Sequence, residues 1–97
     1  MDFELKTAEL KELYVTGKGS YPASAIKGFF KRMATIKSAK DERDLRNVKG
    51  ARFEKLKGDR AGEHSMRLDD VWRLILELEG EAPDVIVSVK EITNHYA

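Results

Sequence analysis

The chain has 97 residues and a formal net charge of +1, with 36% of its residues charged and 41% hydrophobic. This size predicts one domain, residues 1–97, with a single core, and the absence of cysteine excludes disulfides and thiolate catalysis and fits a reducing compartment. No apolar run approaches the ~20 residues that span a bilayer, and the first five residues are acidic where a signal peptide would be basic. We therefore expect a cytoplasmic protein without a membrane partner.

The first half of the chain has a short strand pattern followed by helical spacing. Phe3 and Leu5 alternate with charged residues, which predicts a strand. Thr7 can cap a helix over residues 8–15, and Pro22 suits the start of a second helix that ends near Ser38. The apolar residues of the second helix recur at helical intervals: Ile26, Phe29, Phe30, Met33 and Ile36. Its charged residues are expected on the other face: Lys27, Lys31, Arg32 and Lys37. Residues 41–46 predict a further helical turn.

After Gly50 the apolar pattern changes from helical to alternating. Strands are predicted over residues 52–56, 63–68, 71–78 and 85–89, with a tight turn at Asp69-Asp70. Helices grouped before strands indicate an α+β fold, in which a helix pair covers one face of an antiparallel sheet formed mainly by residues 52–91. The side chains of Phe29, Trp72 and Ile75 are expected to be largely buried.

Positive charge is concentrated in the middle of the chain. Residues 46–60 contain six cations and two carboxylates, whereas from Leu74 onward five carboxylates face one lysine. Within the middle segment, the sequence KLKGDR at residues 55–60 places three cations around a glycine that can turn the chain. This distribution favours an anionic partner at the basic segment, although lysine and arginine in a turn are also commonly just solvated.

Arg73 stands between Trp72 and Leu74 in an otherwise apolar strand. Buried charges are rare unless they are paired, and a planar guanidinium matches phosphate oxygens. If Trp72 points into the core, the strand period directs Arg73 to the opposite face. We predict that Lys57, Arg60 and Arg73 converge on one basic surface that binds phosphate. The alternative is that this face is merely hydrated.

Several motifs occur together in one order: YP at 21–22, DLR at 44–46, FEKLKGDR at 53–60 followed by Gly62, SMRL at 65–68, WRLI at 72–75 and EI at 91–92. In this combination the sequence resembles the HigB branch of the RelE/ParE superfamily of bacterial toxin–antitoxin toxins, also called plasmid-maintenance killer proteins. The resemblance implies a RelE-like fold, with an N-terminal strand and a two-helix hairpin packed on a twisted antiparallel sheet. It also implies an endoribonuclease that cuts messenger RNA in the ribosomal A site.

The resemblance implies a metal-free mechanism in which the 2′-hydroxyl of RNA is the nucleophile. Arg73 and Lys57 would stabilise the phosphorane charge, with Lys55 and Arg60 as further phosphate ligands. His95 is the best candidate for proton transfer because imidazole titrates near neutrality. Tyr96 could stack on a base or donate a proton, and Glu54 is a possible base. The family tail Asp-Tyr-His is Asn94-His95-Tyr96 here, and Glu54 replaces a histidine found in some members.

The partners implied by the resemblance are the ribosome, messenger RNA and a HigA-type helix-turn-helix antitoxin, through which the complex would bind operator DNA. No cofactor is expected, and two separated histidines without an HExxH pattern make a metal site unexpected. His64 is interpreted as a packed or edge histidine. Two other functions stay open: a ParE-like toxin that poisons a topoisomerase, and a catalytically decayed module that only binds its antitoxin.

Overall fold

The computed structural model describes residues 1–95, in which three helices pack against a five-stranded sheet. The first half contains β1 (Asp2–Leu5), α1 (Ala8–Thr16), α2 (Ala23–Ser38) and α3 (Glu42–Asn47). The second half contains β2 (Glu54–Lys55), a 3₁₀ turn (Gly58–Arg60), β3 (His64–Arg67), β4 (Arg73–Glu79) and β5 (Ile86–Thr93). The strand order across the sheet is β1-β5-β4-β3-β2. The predicted α+β fold is confirmed.

The helix ends follow the capping residues of the sequence. The Thr7 hydroxyl accepts a hydrogen bond from the Leu10 amide at 3.1 Å, and α1 ends at Gly17, whose φ of 73° is left-handed. The Asp41 carboxylate accepts hydrogen bonds from the amides of Arg43 and Asp44 at the start of α3. Each of these contacts satisfies backbone groups that the helix leaves without a partner.

Strands β2 to β5 are antiparallel, as predicted, but β1 is parallel to β5 at the edge of the sheet. The predicted antiparallel sheet of the second half of the chain is confirmed, and β1 adds a parallel strand at its edge. Between β4 and β5, Ile75 pairs with Glu91 and Leu76 pairs with Val89, so Lys90 is the extra residue of a β-bulge. A bulge of this kind redirects a side chain, and this one matters for the outer face described below.

The core lies between the helices and one face of the sheet. Its fully buried side chains come from both layers and include Leu10, Leu13, Phe29, Met33, Ile36, Met66, Leu74, Leu76, Val87 and Val89. We call the opposite side of the sheet, which carries Ser65, Arg73, Ile75 and Thr93, the outer face. The predicted burial of Phe29 and Ile75 is confirmed.

Trp72 is partly buried and packs against the edge of the core, so it is covered less completely than Phe29 and Ile75. It lies in the turn before β4, where its amide donates to the Asp69 carboxylate at 2.6 Å, and its ring packs edge-on against Tyr21 at 5.7 Å. Arg32 is predicted on the charged face of α2, but unlike Lys27, Lys31 and Lys37 on that face it is not exposed. Arg32 is buried and donates to the carbonyls of Arg67 at 2.8 Å and Gly50 at 3.0 Å. Burial lowers the pKa of the Arg32 guanidinium.

Candidate functional site

Arg73 is the first residue of β4, and its guanidinium is held on the outer face. It is 5% exposed, and its Nε and Nη2 atoms donate to the Ser65 hydroxyl at 3.1 and 2.8 Å. Nη2 also donates to the Arg52 carbonyl at 2.7 Å. The register of β4 with β3 and β5 therefore places Arg73 on the face opposite the helices. Because these acceptors fix one edge of the guanidinium, its orientation is set before any ligand binds.

Arg52, which supplies the carbonyl, has an unusual backbone conformation. Its φ is +46°, in the left-handed region that residues with a Cβ rarely adopt. Such residues cost about 1–3 kcal/mol and cluster at functional sites. The hydrogen bond from Arg73 therefore ties a strained segment, just before β2, to the first residue of β4. The sequence pattern identified neither Arg52 nor Ser65 as an Arg73 partner.

The end of the described chain reaches the same end of the sheet as Arg73. Thr93 is the register partner of Arg73, and its hydroxyl accepts from the His95 amide at 2.9 Å and donates to the His95 carbonyl at 3.2 Å. His95 is exposed. Tyr96 lies outside the described residues. Glu54 is the register partner of Ser65, which places this exposed carboxylate on the outer face as well.

Arg60 also reaches the outer face, but its guanidinium already contacts two carboxylates. Nη1 donates to Glu63 at 2.9 Å and Nη2 donates to Glu91. Lys90 joins the same group through Glu63 at 2.6 Å and Glu77 at 3.4 Å. The hydrogen bond to Glu91 raises the pKa of Arg60. Burial alone would raise the pKa of the Glu63 carboxyl, but hydrogen bonds from Lys90 and Arg60 outweigh burial and lower it.

The two lysines predicted to bind phosphate, Lys55 and Lys57, lie at the end of β2 and just before the 3₁₀ turn. Lys55 pairs in register with His64, whose side chain faces the helices, so Lys55 lies on the opposite side of the sheet from Arg73. Lys55 and Arg73, which are both predicted to bind phosphate, therefore do not share a face of the sheet. Lys55 instead lines a cleft of about 1450 Å³ on the helix side, together with His64. Lys57 is exposed immediately before the 3₁₀ turn.

His64 is a packed histidine, as predicted. It is 7% exposed and its ring stacks on Phe53 with centroids 4.7 Å apart. Burial lowers its pKa, and neither ring nitrogen has a hydrogen-bond partner within residues 1–95. Over the same residues, no group of three or more His, Cys, Asp or Glu side chains is arranged to hold a metal ion, and no helix is long and apolar enough to cross a membrane.

A family sequence model and a known protein both match the family that the sequence motifs resemble. Residues 3–89 match the sequence model of the HigB-like toxins, described as RelE-like toxins of the type II toxin–antitoxin system HigB. The chain is 33% identical to Toxin HigB-1 of Vibrio cholerae over 79 residues, which are 79% of this chain and 83% of the relative.

Solved structures share the fold at low sequence identity. The YoeB/ParE toxin from Agrobacterium tumefaciens matches with a TM-score of 0.68 and 18% identity, over 99% of this chain and 100% of that one. The YoeB–YefM complex from Staphylococcus aureus gives 0.64 and 17%, over 99% and 98%. YafQ from Escherichia coli gives 0.57 and 15%, over 94% and 89%.

Proposed function

The chain belongs to the HigB-like family of RelE-like toxins, and from this premise we propose that it is a cytoplasmic, ribosome-dependent endoribonuclease neutralised by a HigA-type antitoxin. The single domain, residues 1–97, cleaves messenger RNA without a metal or other cofactor. The observation that supports this proposal most is the guanidinium of Arg73, buried on the outer face and oriented by Ser65 and Arg52. Its planar shape suits the non-bridging oxygens of a phosphodiester.

The proposed reaction is an internal transfer within the RNA. A base removes the proton of the 2′-hydroxyl, whose oxygen attacks the adjacent phosphorus, and the bond to the 5′-oxygen breaks as an acid protonates that oxygen. The products are a 2′,3′-cyclic phosphate and a free 5′-hydroxyl. Arg73 and Lys57 stabilise the extra negative charge at phosphorus, a preorganised contribution worth about 10²–10³ in rate for one donor.

Proton transfer is assigned to His95, with Tyr96 and Glu54 in supporting roles. Thr93 pairs with Arg73 and holds the His95 backbone, so the imidazole starts from the same end of the sheet as the phosphate ligand. Glu54 lies on that face and is a second candidate for the base. Tyr96 follows His95 directly and is proposed to stack on a base or donate a proton.

The experiment that tests this function is messenger cleavage in a translating extract, with His95→Ala as the variant. We expect the cleavage rate to fall by about 10²–10⁴, the usual contribution of one acid–base group, and toxicity to disappear. The fold should be retained because His95 is exposed. Asn94→Ala, an exposed neighbour with no assigned role, is the matched control and should cleave normally. Full activity of His95→Ala would assign proton transfer to Glu54 or Tyr96 instead.

The same extract separates the alternative functions. Accumulation of cleaved gyrase complexes without messenger cleavage would support a ParE-like topoisomerase poison. Absence of toxicity when the chain is expressed alone would support a decayed antitoxin-binding module. For the ribonuclease, we propose that the antitoxin, which carries the operator-binding helix-turn-helix, covers the outer face. Its binding should then weaken as salt is raised, and a salt-insensitive complex would place neutralisation on the helices.

A further inference from the structure

Five side chains of alternating charge cross the outer face and form a connected group that we call the charge latch: Glu77, Lys90, Glu63, Arg60 and Glu91. Adjacent members are joined by ion pairs, with Lys90 between Glu77 and Glu63 and with Arg60 between Glu63 and Glu91. The Glu63 side chain is 14% exposed, so its two pairs are screened less by solvent than ordinary surface pairs. The catalytic roles proposed above use none of these contacts.

The β-bulge explains how Lys90 and Glu91 can join one group. In a regular strand, adjacent side chains point to opposite faces. Because Lys90 is the extra residue between the Ile75–Glu91 and Leu76–Val89 pairs, it reaches Glu63 and Glu77 while Glu91 reaches Arg60. The bulge therefore supplies a cation and a carboxylate from successive positions of β5 to the same face.

Arg60 connects the 3₁₀ turn to a strand that is not its neighbour. Glu63 directly precedes β3 and Glu91 lies in β5, and β4 runs between these strands. Neighbouring strands are about 4.8 Å apart, so the guanidinium bridges a gap of about two strand spacings. Ile75 of β4 is completely buried although it lies on the face away from the helices.

The turn is also closed by its own backbone. The Ala61 amide donates to the Gly58 carbonyl at 3.0 Å, and the Glu63 amide donates to the Arg60 carbonyl at 3.0 Å. These bonds shape the turn locally, but neither fixes its position relative to β5. The pair between Arg60 and Glu91 links the turn directly to β5.

We propose that Arg60 is a positioning residue and not a ligand of the substrate phosphate. It fixes the turn that carries Lys57 relative to Arg73 by bridging Glu63 and Glu91. A phosphate that binds the Arg60 guanidinium would have to displace Glu63 or Glu91, and the carboxylate that remains would repel it. This inference rests on the proposed ribonuclease function for its effect on cleavage, but the latch itself is a property of the fold.

The test is a charge exchange across the latch, using Arg60→Glu, Glu91→Arg and the double variant. We measure amide hydrogen exchange and the single-turnover cleavage rate at saturating ribosomes. With Arg60→Glu, exchange at Ala61 and Glu63 should accelerate by at least about tenfold, as expected for a locally opened segment. Exchange at the core amides of Leu74 and Leu76 should change much less. Cleavage should also fall by at least about tenfold, because misplaced catalytic groups lose rate steeply.

The double variant should restore part of the protection of the turn and part of the cleavage rate, because the exchange re-forms the pair between positions 60 and 91 but leaves two carboxylates at positions 60 and 63. Protection no better than in Arg60→Glu would overturn the role of the 60–91 pair. Recovered protection without recovered cleavage would show that a cation is needed at position 60 for the substrate, and would overturn the positioning role. Unchanged exchange in Arg60→Glu would overturn the latch. If Arg60→Glu does not fold, Arg60→Gln replaces it, with Glu91→Gln as its partner and exchange at Ala61 as the readout.

Arg43→Glu is the matched control. Arg43 is 82% exposed and pairs with Asp41 on α3, away from the latch, so its reversal should leave the turn amides and cleavage unchanged. An inactive wild-type protein would refute the proposed ribonuclease function alone. The exchange measurements need no activity, and they would still confirm or overturn the latch.

Discussion

Replacing Arg73 with alanine separates its structural and catalytic contributions. Within residues 1–95, the guanidinium makes three hydrogen bonds to two acceptors, Ser65 and the Arg52 carbonyl. A hydrogen bond from a charged group contributes about 1.5–3 kcal/mol, and relief from burying the charge offsets part of the loss. We therefore expect a net destabilisation of about 2 kcal/mol, which lowers Tm by about 8–16 °C in a chain of this size.

The catalytic loss of Arg73→Ala should exceed its effect on stability. Removal of one preorganised charge donor typically costs about 10²–10³ in rate, which is about 2.7–4 kcal/mol of transition-state stabilisation. The assay is single-turnover cleavage of messenger on the ribosome, performed well below the Tm of each variant. Circular dichroism at the same temperature verifies that the variant is folded.

Ser65→Ala is the matched control because it removes the two hydrogen bonds to the Ser65 hydroxyl and keeps the cation. We expect a destabilisation of about 1 kcal/mol and a rate loss of about tenfold from the less constrained guanidinium. If folded Arg73→Ala cleaves at nearly the wild-type rate, Arg73 is a structural residue and the proposed phosphate site is refuted. Equal rate losses in both variants would show that geometry, and not charge, limits catalysis.

Three further predictions concern stability. Burial lowers the pKa of His64 below its ordinary 6.5, so the unfolded chain takes up a proton at a higher pH than the folded chain, and the free energy of unfolding should decrease as the pH drops below about 6.5. His64→Phe should remove this pH dependence, measured by urea denaturation at several pH values. An unchanged pH dependence in His64→Phe would assign it to other groups. A Cβ at Gly28 would lie 2.1 Å from the Leu68 carbonyl oxygen, so Gly28→Ala should cost about 3 kcal/mol, and wild-type urea stability would contradict that close approach. Asp41→Ala removes the cap of α3 and should lower the free energy of unfolding by about 1 kcal/mol, measured by thermal melting. Asp41→Asn, which can still cap the helix, should retain most of this stability.

The sequence alone determined the elements and their order. The apolar residues recur with helical spacing from Pro22 to Ser38 and alternate with polar residues after Gly50. Each pattern reflects which side of a single element is apolar, so it is visible in a short stretch of sequence. Thr7 marked a helix start because capping is a contact with the next three residues. The family resemblance rested on motifs of the same local kind, and it was confirmed.

Only the tertiary structure decided which side chains meet on the outer face. Arg73 finds a carbonyl 21 positions away, and Arg60 finds a carboxylate 31 positions away. Both contacts depend on strand order, register and the bulge at Lys90, and none of these has a local signature. For the same reason the sequence could not show that Lys55, a predicted phosphate ligand, lies on the opposite side of the sheet from Arg73, as its pairing with His64 requires. A one-residue difference in register reverses the face of a side chain, so the composition of the site follows from strand pairing.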